Sequence, residues 1–184
     1  ARHRIEKYVL DPVMVSETGH RLLSEDAVET LRKRLIPLAL IVTPNAAEGT
    51  TLEALGDVLL PGAATAGIAH YVDDQLDSET PLLILKYMDY PDPFLDFYQQ
   101  GLRSLEGLGR ARHGGSFYEL SADQQIDLVR EIAQKNPPEW SGPPAPLFYF
   151  VTRSDAVDVY YGTQEGFARL NIPYMAHILP PKKW

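Results

Sequence analysis

Residues 121–132 read Ser-Ala-Asp-Gln-Gln-Ile-Asp-Leu-Val-Arg-Glu-Ile, and this stretch decides the class of fold. Ser121 followed three residues later by Gln124 is a capping box. The hydroxyl accepts from the Gln124 backbone N–H while the glutamine side chain returns to the Ser121 N–H. Ile126, Leu128, Val129 and Ile132 then recur at helical spacing. Asn136-Pro137-Pro138 stops the helix, because proline lacks an N–H and clashes with the preceding turn.

Upstream the same period returns. Leu52, Leu55, Val58 and Leu59 form a face that ends at Pro61-Gly62, and Ile68, Tyr71, Val72 and Leu76 repeat it in a short acidic helix. Residues 82–88 read as a third helix or a buried apolar segment. Phe94, Phe97, Tyr98, Leu102 and Leu105 make a fourth, with Pro91 and Pro93 at its start. Downstream of the Pro-rich residues 142–146, the dense aromatic stretch 147–161 predicts a helix that is largely buried. Beyond Gly162 the chain is short-range and Pro-punctuated to Trp184. No stretch of six or more residues after position 50 alternates as a strand does. The fold expected is mainly α: a small irregular helical domain with an extended Pro-rich C-terminal tail.

A second composition precedes it. Residues 1–50 hold seven basic and seven acidic side chains, whereas residues 51–184 hold 10 and 18, so the whole net charge of −8 lies in the second part. Of the 18 aromatic residues only Tyr8 falls before position 51. Residues 8–15 read as a strand with Pro12 marking an edge or end. Ser24 caps a helix carrying Val28, Leu31 and Leu35, and residues 38–43 form a second strand. This is a β-α-β fragment that cannot bury its own faces. Two domains follow, residues 1–50 and 51–184.

Composition excludes several functions. The 184 residues contain no cysteine, so disulfides, thiolate metal sites and a thiol nucleophile are absent. The longest apolar run, residues 35–42, contains Pro37 and is far short of the roughly 20 residues a bilayer span needs. A net charge of −8 disfavours nucleic acid and anionic lipid as partners.

No catalytic constellation emerges. Gly107-Leu-Gly109-Arg-Ala-Arg112 has half of a dinucleotide fingerprint, but no strand precedes it and Arg112 replaces the third glycine, so a helix-ending loop is the better reading. His113-Gly114-Gly115-Ser116 reads as a flexible turn, since no third member of a triad is placed. Asp73, Asp74 and Asp77 read as a solvated helix end rather than a cation loop. His70 and His177 lack partners at metal-ligand spacing. The aromatic surplus is more informative. Trp140, Phe148, Tyr149, Phe150, Tyr160, Tyr161, Phe167, Tyr174 and Trp184 fall within 45 residues, each ring covering roughly 150–250 Å² when buried. Either they line the core, or several insert into a partner.

These residues carry a resemblance. Leu55-Gly-Asp-Val-Leu-Leu-Pro-Gly62, Ala66-Gly-Ile68 and Phe117-Tyr-Glu-Leu-Ser-Ala-Asp-Gln-Gln125 are similar to segments of the gluconate 2-dehydrogenase subunit 3 family. The most specific match is Pro143-Pro-Ala-Pro-Leu-Phe-Tyr-Phe150, followed by Arg153-Ser-Asp-Ala-Val-Asp158, Tyr161-Gly-Thr-Gln-Glu-Gly-Phe167 and Ile172-Pro-Tyr-Met-Ala-His-Ile178. The resemblance implies a non-catalytic small subunit of a flavin-dependent dehydrogenase of the glucose–methanol–choline type. It implies a large FAD-bearing partner subunit that oxidises a sugar, sugar acid or other alcohol, and a cytochrome c subunit that takes the electrons onward. The chain itself would bind no cofactor. A periplasmic location, reached by export with the partner, is also implied, the signal segment not being present in this chain. The partner-facing residues expected are Trp140, Phe148, Tyr149, Arg153, Asp155, Asp158, Tyr161, Phe167, Tyr174 and His177.

The first part resembles a different family. Val9-Leu-Asp-Pro-Val-Met-Val15, Gly19-His-Arg-Leu-Leu23 and Val42-Thr-Pro-Asn45 are similar to a strand, helix and strand of hydroxymethylpyrimidine phosphate kinase. There the aspartate at the Asp11 position lies near phosphate and metal, and the Thr-Pro-Asn turn borders the nucleotide. The glycine-rich anion loop of that family is absent. The alternatives to the subunit reading are therefore a nucleotide-dependent kinase fragment and a free-standing helical adaptor.

Overall fold

The computed structural model describes residues 9–10, 41–42, 46–91 and 93–171. The expected helix over 24–35 and the tail after Asn171 lie outside the described residues. The chain divides into two compact units, Ala1–Gly49 and Thr50–Trp184. In the first, β1 (Val9–Leu10) pairs in parallel with β2 (Ile41–Val42), Val9 opposite Ile41 and Leu10 opposite Val42.

The rest of the described chain is mainly α: α1 (Ala46–Leu59), α2 (Ala63–Ala66), α3 (Ile68–Asp77), α4 (Ile84–Tyr87), α5 (Phe94–His113), α6 (Ala122–Ile132), α7 (Ala145–Tyr161) and α8 (Gln164–Arg169). A 3₁₀ turn, Phe117–Glu119, separates α5 from α6. The capping box forms as its sequence requires. The Gln124 N–H donates to Ser121 Oγ at 3.4 Å, and the Ser121 N–H donates to Gln124 Oε1 at 3.0 Å. The short connection into α2 is held by Asp57, whose Oδ1 accepts from the backbone N–H groups of Gly62 and Ala64.

Two expectations need correction. The Gly107–Gly109 segment is not a loop, because α5 runs through it to His113 and ends at Gly114, in the left-handed conformation at φ +78°. Leu105 and Leu108 are both fully buried, and that burial carries the helix across two poor helix formers. Gly109 has a packing role. A Cβ there would lie 3.1 Å from the Gly115 carbonyl oxygen and 3.3 Å from the Phe117 nitrogen, so a bare backbone lets the 3₁₀ turn close onto α5. The second correction concerns the residues just beyond Gly162, where Gln164–Arg169 form α8 rather than irregular structure. Thr163 caps it, its Oγ1 accepting from the Gly166 N–H at 3.0 Å.

The core lies around α7, which packs on α2, α3, α4, α5, α6 and α8. Phe148, Val151, Ala156 and Val159 of α7 are fully buried against Phe97, Tyr98, Leu102, Leu105 and Leu108 of α5, with Ile132 of α6 and Leu85 of α4 also enclosed. Phe148 is the centre of an aromatic cluster, its ring centroid 5.9 Å from Phe97 and 5.7 Å from Trp140. Phe97 in turn meets Tyr90 edge-on at 5.1 Å. Each such side chain contributes roughly 1.5–3 kcal/mol on burial, so this cluster anchors the unit. The rings near the C-terminal third thus have more interior available than their number suggested.

Candidate partner interface

The residues expected to face a partner separate into an inner and an outer set. Phe148 and Asp155 are enclosed by the chain's own side chains, at 0 and 1% exposure, and offer no area to another surface. Trp140 is half-buried, packs on Phe148, and donates from Nε1 to the Pro143 carbonyl. Tyr149 is also half-buried. Arg153 is exposed, its guanidinium 5.6 Å from the Tyr149 ring centroid and 5.9 Å from that of Phe150. Asp158 is exposed, while Tyr161 and Phe167 are half-buried. Tyr161 meets Tyr160 edge-on at 4.9 Å, and the Arg169 guanidinium lies 4.4 Å from the Tyr160 ring. Tyr174 and His177 lie outside the described residues.

The outer set has helical order. Phe150, Arg153 and Val157 recur along α7 at spacings of three and four, which places them on one face. Phe150 is 37% and Val157 43% exposed, unusual for apolar side chains on the most enclosed helix of the unit. A second group comes from the segment read as a helix or buried stretch. It forms a single helical turn, α4, that buries Leu83 and Leu85 while leaving Leu82, Tyr87 and Met88 exposed. Apolar periodicity could not separate the two sets there, because the run has no polar residue except Lys86 to mark an outer face.

Inside, a polar group bridges helices. The Tyr98 hydroxyl of α5 donates to Asp155 Oδ2 of α7 at 2.8 Å, and Asp155 Oδ1 has no hydrogen-bond partner. Burial pushes the Asp155 carboxyl up to about 8, against the opposing effect of the Tyr98 hydrogen bond, with the nearby Asp158 carboxylate pushing it further up. Burial likewise raises Tyr98 well above the ordinary phenol range. Asp155 is therefore largely a neutral acid at pH 7. A second bridge is Glu106, whose Oε1 accepts from Thr51 Oγ1 at 2.7 Å and from the Phe117 N–H at 3.1 Å, joining α1 and the 3₁₀ turn to α5. Both acidic side chains hold helices together through these hydrogen bonds. Among the described residues there is no group of three or more His, Asp or Glu able to hold a metal ion, and no helix long and apolar enough to cross a membrane.

The described helical unit is thus organised around one central, aromatic-rich helix, with Asp155 and Glu106 bridging it internally. Residues 46–177 match the family described as gluconate 2-dehydrogenase subunit 3, and the chain belongs to that family. Residues 1–59 match the phosphomethylpyrimidine kinase family. Curated relatives over this part are hydroxymethylpyrimidine/phosphomethylpyrimidine kinases. That of Salmonella typhimurium is 47% identical over 51 residues, 28% of this chain and 19% of the relative. That of Rhizobium meliloti is 47% identical over 62 residues, 34% of this chain and 20% of the relative. The chain thus spans about a fifth of the length of the curated kinases it matches. No solved structure matches.

Proposed function

We propose that this chain is the non-catalytic small (gamma) subunit of an FAD-dependent dehydrogenase complex of the glucose–methanol–choline type, oxidising a sugar, sugar acid or other alcohol. Its work is assembly, stability and export of the FAD-bearing large subunit into the periplasm, with a cytochrome c subunit as the electron acceptor. The flavin sits in the large subunit. The observation that carries this reading is family membership over residues 46–177. The exposed apolar residues Phe150 and Val157 on one face of α7 support it, because a partner that covers them removes apolar surface from water.

Co-expression tests it. With the FAD-bearing subunit encoded beside it, the tagged full chain is expected to purify as a yellow complex of defined stoichiometry. Loss of the chain should leave the large subunit unexported or rapidly degraded. A colourless, monodisperse small chain together with a large subunit that folds and is exported without it would overturn the reading.

The kinase identity over residues 1–59 favours a second reading, a nucleotide-binding unit. Among its described residues the segment holds one parallel strand pair, and its sequence shows no glycine-rich anion loop of the kind that cradles a nucleotide phosphate. Titration of ATP and Mg²⁺ into the full chain is expected to give no heat. A saturable isotherm would restore the kinase reading.

A further inference from the structure

The turn at residues 82–88 is unlike the rest of the surface. Leu82, Tyr87 and Met88 are 56, 70 and 44% exposed, yet the backbone that carries them is firmly held. Leu83 and Leu85 are fully buried between them, and Leu82 N–H donates to Gln75 Oε1 of α3 at 2.6 Å. The turn closes with Met88 N–H donating to the Ile84 carbonyl and Tyr90 N–H to the Leu85 carbonyl. Between them Asp89 adopts φ +52°, a left-handed conformation that a non-glycine residue takes at a cost. A strained, well-bonded turn that points three apolar side chains outward is a knob, already ordered before any partner arrives.

Charge says what kind of surface it fits. Residues 73–96 contain seven acidic residues and one lysine, a net −6 out of the chain's −8. Asp77 and Glu79 precede the knob and Asp89 follows it, all exposed. Burial first, and then the neighbouring Asp77 carboxylate, push the Asp73 carboxyl above its ordinary value. Asp96 continues the acidic rim beyond the turn, where it lines a cleft of about 270 Å³ with Tyr90, Pro91, Pro93 and Phe97. The same patch on a second copy brings the same negative field, as does an anionic membrane, and both are disfavoured as occupants.

We propose that the 82–88 turn is a docking knob for a protein partner that offers an apolar recess rimmed by Lys and Arg. The proposal rests on the small-subunit reading and locates on that reading the face that meets the large subunit. Electrostatic complementarity would steer the encounter, while Tyr87 and Met88 supply the apolar anchors.

The test uses the full chain and the co-expressed FAD-bearing subunit. Tyr87→Ser with Met88→Ser is expected to weaken the complex by tenfold or more while leaving the melting curve of the chain unchanged, because neither side chain is buried. Affinity should fall as salt rises from about 0.05 to 0.5 M, and Asp89→Lys with Glu79→Lys should remove most of that dependence. Backbone amides of 82–90 should gain exchange protection in the complex. A complex of unchanged affinity with the double serine variant, and no protection at 82–90, would overturn the knob and leave the subunit reading standing. Failure of the unaltered chain to form any complex would remove both.

Discussion

Asp155→Asn is expected to stabilise the protein at pH 8 and above and to leave it unchanged near pH 4. Asp155 is 1% exposed, one oxygen bonded to Tyr98 and the other unpartnered. Its carboxyl ionises at about 8 in the folded chain, against 3.8 when free. Below about pH 4 the group is protonated in both states and contributes no pH dependence. As pH rises, the unfolded chain ionises first and gains free energy that the folded chain cannot match. Stability therefore falls from about pH 4 to about pH 8 and then levels off. A carboxyl displaced this far corresponds to at most ~6 kcal/mol, an upper bound that structural relaxation will reduce. The asparagine carbonyl can keep the Tyr98 hydrogen bond without a charge to desolvate. Urea unfolding of both proteins between pH 4 and 9 checks this: the curves should diverge upward in pH. Parallel curves would mean that Asp155 reaches water or a cation in the folded chain.

Gly101→Ala is expected to destabilise the chain strongly, while Gly107→Ala on the same helix is expected to stabilise it. Both glycines lie inside α5, where replacement by alanine gains about 0.5–1 kcal/mol in backbone terms. At Gly101 a Cβ would be driven into the ring of Phe148 at Cδ2 and Cε2. That ring is fully buried, with Phe97 on one side and Trp140 on the other, and has nowhere to retreat. Overpacking of this kind costs typically 1–3 kcal/mol, and the enclosed aromatic cluster puts Gly101 at the upper end. At Gly107 nothing lies within 4 Å, so the helix gain stands alone. Thermal melts of the two variants should move in opposite directions. A stable Gly101→Ala protein would show that α7 is free to shift along α5.

The helices were legible from local patterns. The capping box at Ser121 and Gln124, the faces built on Leu55 and Ile68, and the run from Phe94 to Leu105 all describe elements that form as read, because each depends on neighbours three or four residues away. What misled was also local. Glycines at 107 and 109 look like a helix end, yet a buried Leu108 and a close-packed 3₁₀ turn keep the helix intact. The segment after Gly162 looked irregular, yet Thr163 caps one more helix there and Gly166 lets it pack closely on the Tyr160–Tyr161 backbone.

The interface residues divide in the same way. An aromatic count cannot say which rings a domain will enclose, since that depends on how many helices surround the one that carries them. Among the described residues six helices pack on α7, enclosing Phe148 and Asp155 while Phe150 and Val157 remain outside. Leu82, Tyr87 and Met88 could not be singled out because their neighbours Leu83 and Leu85 are equally apolar. The acidic flanks were the one available signal.

By itself the amino-acid sequence determined the helical class, the change of composition near residue 50, the family and the absence of cysteine chemistry, because these follow from residue order and type. Tertiary structure alone decided which faces are covered, that Asp155 becomes a neutral buried acid braced by Tyr98, and that a strained turn at Asp89 holds an apolar knob in an acidic field. Those outcomes depend on long-range packing and desolvation, which residue order constrains only through the finished fold.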